Sequence, residues 1–291
     1  MYGIIAANKR KTILLMMVFV LLVGIISYGF SLYFNDASIV YVALSFSVIY
    51  SLISYFASAR IALGMSGAKP IVKKDAPELY RAVENLSIAA GLPMPQVYII
   101  NDPAPNAFAT GRDPKHSYVA VTTGLIEIMD KKELEGVLAH ELSHVGNYDI
   151  RVMAITAALV SVIAVMSDIL LRMSVWGGED DNNNSFGIFI AIAVAVITPL
   201  VAMLVQLAVS RKREFLADAS GAQLTRYPEG LASALRKLDA YAKPMKKASS
   251  ATSHLFISNP LGKKGGALAL LSTHPPIAER IANLEHMETH A

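Results

Sequence analysis

The stretch "LEGVLAHELSHVGNYDIRVMAITAALV" (Leu134–Val160) joins an amphipathic helical pattern to an almost wholly apolar run, and His140, Glu141 and His144 lie just before the junction. Residues four apart on an α-helix lie about 40° apart around its axis on successive turns, so these two imidazoles can bind one metal ion. Glu141 lies about 100° further round, where it is poorly placed as a ligand but close to a water bound to that metal. The H-E-x-x-H spacing therefore predicts two zinc ligands and a carboxylate that takes a proton from the bound water. The alternative is an amphipathic helix whose histidines lie at a surface or an interface.

The composition indicates a membrane protein. Of 291 residues, 54% are hydrophobic and 17% are charged, whereas soluble proteins carry about 25% charged residues. The net charge of +3 is small, and no basic stripe with interleaved aromatic residues is present, so we expect no nucleic-acid partner. The absence of cysteine excludes disulfides, cysteine-ligated zinc and thiol catalysis.

Four apolar runs reach the roughly 20 residues that a helix needs to cross a bilayer. They are Ile13–Phe34, Ile39–Leu63, Met153–Val175 and Gly187–Val209. Basic residues lie before the first run (Lys9–Lys11) and after the fourth (Arg211–Arg213), while the connectors within each pair of runs contain neither Lys nor Arg. Because basic loops stay inside, we predict a multi-pass protein of the cell (inner) membrane with both termini in the cytoplasm.

These runs divide the chain into four parts. Residues 1–64 form an N-terminal two-helix membrane hairpin, 65–150 a cytoplasmic catalytic segment with the H-E-x-x-H helix, 151–210 a second transmembrane helix pair, and 211–291 a cytoplasmic segment with the third zinc ligand. The predicted fold class is an α+β membrane protein with four transmembrane helices and a cytoplasmic domain built from two segments.

Local patterns predict the elements of this domain. A helix follows Asp75, its possible N-cap, and two strands, Pro95–Ile100 and Ser117–Gly124, flank a loop rich in Pro, Asn and Gly. The stretch 243–266 is polar and predicted to be mobile. Its His254 could approach the site as a gate, but a surface loop is the favoured interpretation.

A third ligand is expected near the same membrane face. Two runs of similar length leave that face after Asp149 and return before Arg211, so they bring "RKREFLADASGA" back to it. Its Glu214 can then meet the two histidines, and Asp218, one turn on, can accept a hydrogen bond from a ligand histidine. The alternative is a solvated, charged helix start.

The segments "NAFATG", "HELSHVGNYD", "RKREFLADASGA" and "STHPPIAERI", set around four apolar runs, resemble HtpX-type membrane-integrated zinc endopeptidases, which are related to the endoproteases that process prenylated proteins. The resemblance implies a gluzincin-like cytoplasmic catalytic domain, one Zn²⁺ per chain, and quality control of damaged or misfolded membrane proteins under stress. Other membrane quality-control proteases are candidate partners. The resemblance implies that His140, His144 and Glu214 are the zinc ligands, that Glu141 is the general base and that Asp218 binds a ligand histidine. It also implies that Asn106, Ala107 and Phe108 contact the substrate backbone and that His274 or Arg280 lies near the site.

The chemistry expected is metal-assisted peptide hydrolysis on an extended substrate that lies against an exposed strand edge. His274 can donate to the tetrahedral oxyanion, or it can cap a turn at the two prolines that follow it. Three other functions stay open: an intramembrane protease, which the polarity around His140 disfavours; a prenyl-protein processing endoprotease, which usually has more spans; and a non-catalytic membrane scaffold, which would not need Glu141.

Overall fold

A computed structural model describes residues 2–176, 211–241, 243–262 and 275–288. Helices α1 (Tyr2–Phe34) and α2 (Ser38–Ser66) form a hairpin, and α6 (Asp149–Trp176) packs against both. Three helical segments in these ranges are long and apolar enough to cross a membrane: Gly3–Phe34, Ser38–Ser66 and Asp149–Ile169. They coincide with the first three predicted runs, whereas the fourth run lies outside the described residues. The protein is an integral membrane protein with a mixed α+β fold.

Helix α1 is longer than its predicted membrane run. It begins at Tyr2 and has 33 residues, so it is about 50 Å long, against about 30 Å for the hydrocarbon core of a bilayer. Leu15 and Phe19 of α1 pack in one apolar cluster with Ile155 and Leu159 of α6. The excess length extends α1 to the first residues of α6, where the polar part of the protein begins.

The first soluble segment forms a small sheet and three helices. In chain order these are β1 (Lys69–Pro70), α3 (Pro77–Ala90), β2 (Gln96–Ile100), β3 (Ala107–Asp113), β4 (His116–Thr122), α4 (Thr123–Ile128) and α5 (Lys131–Gly146). The sheet order is β1-β2-β4-β3, with β2 and β4 parallel and the other two pairs antiparallel. Strand β3 is therefore an edge strand of this sheet.

The prediction of a loop between the two sequence-predicted strands is wrong over Ala107–Asp113. This stretch pairs with β4 from Ala107 opposite Val121 to Asp113 opposite His116. Pro and Asn lie in the turns around β3 and Gly111 lies within it, but strand formation depends on the partner strand, which local composition does not reveal. The N-cap prediction also shifts by one residue: α3 has Ala76 at its N-cap, and Asp75 instead accepts a bond from the Val72 amide.

Helix α5 lies at the centre of the domain. Asp130 and Glu133 form a capping box that sets its start. It packs on β3 and on two helices of the second soluble segment, α7 (Arg211–Thr225) and α8 (Pro228–Ala240). A Cβ added at Gly221 of α7 would lie 2.9 Å from the backbone nitrogen of His140, so glycine permits this close helix contact.

The stretch predicted to be mobile is partly core. It contains a short 3₁₀-helix (Ser253–Leu255), and His254 is 0% exposed with Nε2 bonded to the Met153 carbonyl at 3.0 Å, so the surface-loop prediction is wrong. Phe256 packs edge-on against Phe108 with ring centroids 4.8 Å apart. The last described helix is α9 (Ile277–Glu288), which packs on α8 and α7.

Candidate metal centre and active site

Helices α5 and α7 bring His140, His144 and Glu214 together at one buried point. The two imidazole Nε2 atoms are 3.2 Å apart. The Glu214 carboxylate oxygens lie 3.9 Å from Nε2 of His140 and 3.6 Å from Nε2 of His144. One donor atom from each residue lies within 4.8 Å of the other two, as a group that could hold a metal ion requires.

Carboxylates orient both imidazoles. Nδ1 of His140 lies 2.9 Å from Asp218 Oδ1, and Nδ1 of His144 lies 3.1 Å from Asp149 Oδ2. Because an ionised carboxylate only accepts hydrogen bonds, each Nδ1 carries a proton, and each imidazole in its neutral form presents the Nε2 lone pair to the space beside Glu214.

The donor set fits zinc. Zinc–nitrogen bonds of about 2.05 Å at a tetrahedral angle would place two nitrogens about 3.3 Å apart. The observed Nε2–Nε2 distance is 3.2 Å. Two neutral imidazoles and one carboxylate are also the protein ligands of many catalytic zinc sites, which leave one position open.

A buried arginine supports the partner of His140. Arg280 of α9 is 0% exposed and binds Asp218 with two bonds, from Nε at 2.8 Å and from Nη2 at 2.7 Å. Its Nη1 also donates to the Ile257 carbonyl at 3.3 Å. Burial acts to raise the pKa of Asp218, but Arg280 holds that pKa below its ordinary value, so the carboxylate stays charged. Arg280 thus acts behind the histidine, while His274 lies outside the described residues.

A second carboxylate, Asp149, was missed in the sequence. It occupies the first turn of α6, and its Oδ1 accepts bonds from Asn8 Nδ2 at 2.8 Å and from Arg213 Nη1 at 3.0 Å. The only signal for Asp149 was its position five residues after His144, and for Arg213 its position next to Glu214. Nothing in the sequence around Asn8 indicates that α1 reaches this site.

Glu141 lies beside the donor atoms and is 1% exposed. Its Oε2 accepts a bond from the Ala109 amide of β3 at 2.7 Å. Burial raises the pKa of Glu141, and the neighbouring histidines His140 and His144 oppose this only in part. A carboxylate with a raised pKa is suited to take up and release a proton near neutral pH.

Burial also acts to lower the pKa of His144, but the hydrogen bond that its Nδ1 donates to Asp149 and the charge of Glu214 raise that pKa to about 9. Without a positive ion among these carboxylates, His144 therefore holds a proton at neutral pH. A metal ion must displace this proton to bind at Nε2.

Residues 256–258 contact the residues that are expected to hold a substrate backbone. The Ala107 carbonyl accepts a bond from the Ile257 amide at 3.0 Å, and the Asn106 side chain bonds to both the carbonyl and the amide of Ser258. Strand β3 is buried from Ala107 to Gly111. The sheet edge next to Glu141 is therefore covered at its start by residues 256–258.

A buried His, His and Glu donor set lies next to a further carboxylate and contacts Asp149, the first residue of the membrane-length helix α6. This arrangement is typical of a membrane metallopeptidase. The model of "Peptidase family M48" matches residues 73–288. "Protease HtpX homolog" from Tropheryma whipplei (strain Twist) is 52% identical over 291 residues, covering 99% of this chain and 98% of the relative. "Protease HtpX homolog" from Caldanaerobacter subterraneus subsp. tengcongensis is 45% identical over 296 residues, covering 99% and 98%. The chain belongs to peptidase family M48.

A solved structure shares the fold. Ste24p of S. mikatae superposes with a TM-score of 0.52 at 19% identity, covering 98% of this chain and 67% of that protein. At this identity the likeness concerns the fold alone. Family membership and the relatives make this chain a membrane-integrated metalloendopeptidase, and the family implies a divalent metal, typically zinc.

Proposed function

We propose that the chain is a zinc-dependent endopeptidase that cleaves damaged or misfolded membrane proteins on the cytoplasmic side of the cell membrane. One Zn²⁺ per chain would be held by His140, His144 and Glu214, with Glu141 as the general base. The observation that carries this proposal is the convergence of the three donor atoms within 4.8 Å of one another. Asp218 and Asp149 support it, because each binds Nδ1 of one histidine and so turns Nε2 toward the common point.

Zinc, when bound, supplies a Lewis acid that polarises the scissile carbonyl and lowers the pKa of water. Glu141 accepts a proton from the attacking water at Oε and then delivers it to the leaving amine. The Ala109 amide, which donates to Glu141 Oε2 at 2.7 Å, fixes one carboxylate oxygen and leaves the other for the proton. The apolar packing around α5 excludes bulk water, which strengthens these interactions.

The proposed side of action follows from the charges at the span ends. Lys9, Arg10 and Lys11 near the start of α1 and Arg211 at the start of α7 favour a cytoplasmic site. Quality control is the role that the resemblance to HtpX-type proteases supports. A reporter fused after Ala291 should accordingly be cytoplasmic, and a reporter found outside the cell would contradict this orientation.

Substitution of Glu141 by Gln tests the proposal. Glu141→Gln keeps the size of the side chain but cannot accept the proton, so turnover should fall by about 10²–10⁴-fold while bound zinc stays at one per chain. The matched control is Glu135→Gln on the same helix, a half-buried position away from the donor atoms, which should keep both activity and zinc.

The assay uses full-length protein in detergent, zinc measured by elemental analysis, and cleavage of an unfolded membrane protein beside its folded form. Preference for the unfolded form supports quality control. Wild-type turnover in a zinc-loaded Glu141→Gln protein would contradict the role of Glu141, and a wild-type protein free of zinc after gentle purification and zinc addition would contradict the metal assignment.

A further inference from the structure

Asn8 of α1 is a buried polar residue at the end of a membrane helix. It is 2% exposed. Its amide nitrogen donates to Asp149 Oδ1 at 2.8 Å and to the Asn147 carbonyl at 2.9 Å, while its amide oxygen accepts from Arg213 Nη1 at 3.3 Å. Burying an amide is unfavourable unless its hydrogen bonds are made, so these three contacts account for an asparagine at this place.

The Asp149 carboxylate links Asn8 to His144. Its Oδ1 accepts the bonds from Asn8 and Arg213, and its Oδ2 lies 3.1 Å from Nδ1 of His144. Donors on Oδ1 therefore fix the rotation of the carboxylate whose other oxygen orients the imidazole. Without them the carboxylate can turn, and the imidazole loses a fixed acceptor.

The turn between α5 and α6 that carries Asp149 is strained. Tyr148 has φ 62°, a left-handed conformation that is unfavourable for a non-glycine residue. Asn8 binds on both sides of this residue, to the Asn147 carbonyl and to the Asp149 side chain. The Lys9 ammonium also lies 5.7 Å from the centre of the Tyr148 ring. The start of α1 thus holds the turn that folds Asp149 back onto His144.

We propose that Asn8 is a positioning residue for His144, acting through Asp149, so that the N-terminal membrane helix completes the metal centre. This inference rests on the proposed function, since it requires His144 to be a metal ligand. Helix packing alone does not need an amide here, because Leu15 and Phe19 already provide the apolar contact between α1 and α6.

The test compares Asn8→Leu, Asp149→Ala and the double variant, each in a Glu141→Gln background that lacks the proposed general base. Zinc affinity of the full-length protein in detergent is measured by competition with a chelator, and the thermal unfolding midpoint is measured without metal. Asp149→Ala should weaken zinc binding by about 10–100-fold and Asn8→Leu by about 3–10-fold. The double variant should bind zinc as tightly as Asp149→Ala does, because Asn8 acts through that carboxylate.

Thr12→Val is the matched control. Thr12 lies one turn further along α1, is 2% exposed, and donates to the backbone carbonyl of Asn8. The substitution removes a buried hydroxyl of the same helix without touching Asp149, so zinc affinity should stay at the wild-type value. If Asn8→Leu does not fold, Asn8→Ala gives the same comparison with no added bulk.

Unchanged zinc affinity in the Asn8 variant would overturn the inference. So would losses that multiply in the double variant, or an equal loss in Thr12→Val, because either would show a general effect of helix packing. His144→Ala distinguishes failure of the proposed zinc site from failure of the positioning role of Asn8. If His144→Ala keeps zinc, the proposed function fails; if it loses zinc while Asn8→Leu does not weaken binding, only the positioning role fails.

Discussion

Replacing Arg280 by Met tests how the buried charges behind His140 stabilise the domain. The Arg280 side chain is 0% exposed and that of Asp218 is 3% exposed, and two bonds of 2.8 and 2.7 Å join them. Arg280→Met keeps the unbranched apolar stem of the side chain but leaves the Asp218 carboxylate buried without its cation. It also removes the donor to the Ile257 carbonyl.

The expected loss is about 3–5 kcal/mol, the usual result of breaking a buried pair on one side. In a domain of 150–250 residues each kcal/mol lowers the unfolding midpoint by about 2–4 °C, so Arg280→Met should lower it by roughly 6–20 °C. The double variant Arg280→Met with Asp218→Asn removes both charges and should recover most of this loss, because replacing a whole buried pair is close to neutral.

The measurement is thermal unfolding of metal-free, full-length protein in detergent, which removes the contribution of metal binding. Arg236→Met is the control, because Arg236 also binds α9, through Glu285, but that side chain is 42% exposed. An exposed ion pair contributes at most about 1 kcal/mol. If Arg280→Met lowers the midpoint no more than Arg236→Met, or if the double variant is as unstable as the sum of its single changes, the reasoning from burial is wrong.

Three further results are expected. Glu214→Ala should lose zinc, while Asp218→Ala should weaken zinc affinity by about 10–100-fold. Full zinc retention in Glu214→Ala, measured by elemental analysis, would show that Glu214 is not a metal ligand. Because the pKa of His144 is raised to about 9, its proton competes with zinc at every lower pH. The apparent zinc affinity should therefore rise about tenfold per pH unit up to pH 9 and then level off. An apparent zinc affinity that stops rising near pH 6.5 would refute the raised pKa. Gly221→Ala places a methyl group 2.9 Å from the backbone nitrogen of His140, so it should lower the free energy of unfolding by about 1–3 kcal/mol and weaken zinc binding. The control Gly64→Ala, whose added methyl group has no atom within 4 Å, should change neither quantity. Equal zinc affinity in both variants would show that α5 and α7 adjust to the added methyl group.

The parts of the fold that the sequence predicts are those with a local signal. The first three of the four apolar runs coincide with α1, α2 and α6. Helix α3 ends at Gly91 in a left-handed conformation, which is the usual conformation of a glycine that ends a helix. Strand β3 was missed because its pairing with β4 is a tertiary property. His254 was misplaced for a similar reason: polar neighbours in the sequence do not reveal a buried contact with the Met153 carbonyl.

The candidate site divides in the same way. His140, Glu141 and His144 share one helix, so their spacing alone predicts their geometry, and Glu214 follows from counting two membrane runs. Asn8 comes from a remote helix end, and its contact with Asp149 spans 141 residues of the chain. No periodicity or motif carries such a contact, and the family resemblance did not single out Asn8 or Asp149.

The charges of the site explain why a divalent ion suits it and why its release should take up protons. Four carboxylates in the described residues are buried around the two histidines, with two guanidinium groups against them; they are Glu141, Asp149, Glu214, Asp218, Arg213 and Arg280. With neutral imidazoles the formal sum is four negative and two positive charges, a deficit that a divalent cation balances. A buried excess charge that is not balanced is unfavourable, so the metal-free protein binds protons instead. The pKa of His144 reflects this charge, because the hydrogen bond to Asp149 and the charge of Glu214 raise it to about 9 against the effect of burial. Zinc binding and proton release then depend on the same buried negative charge. Changing Asp149 or Asp218 must therefore alter both zinc affinity and the number of protons released.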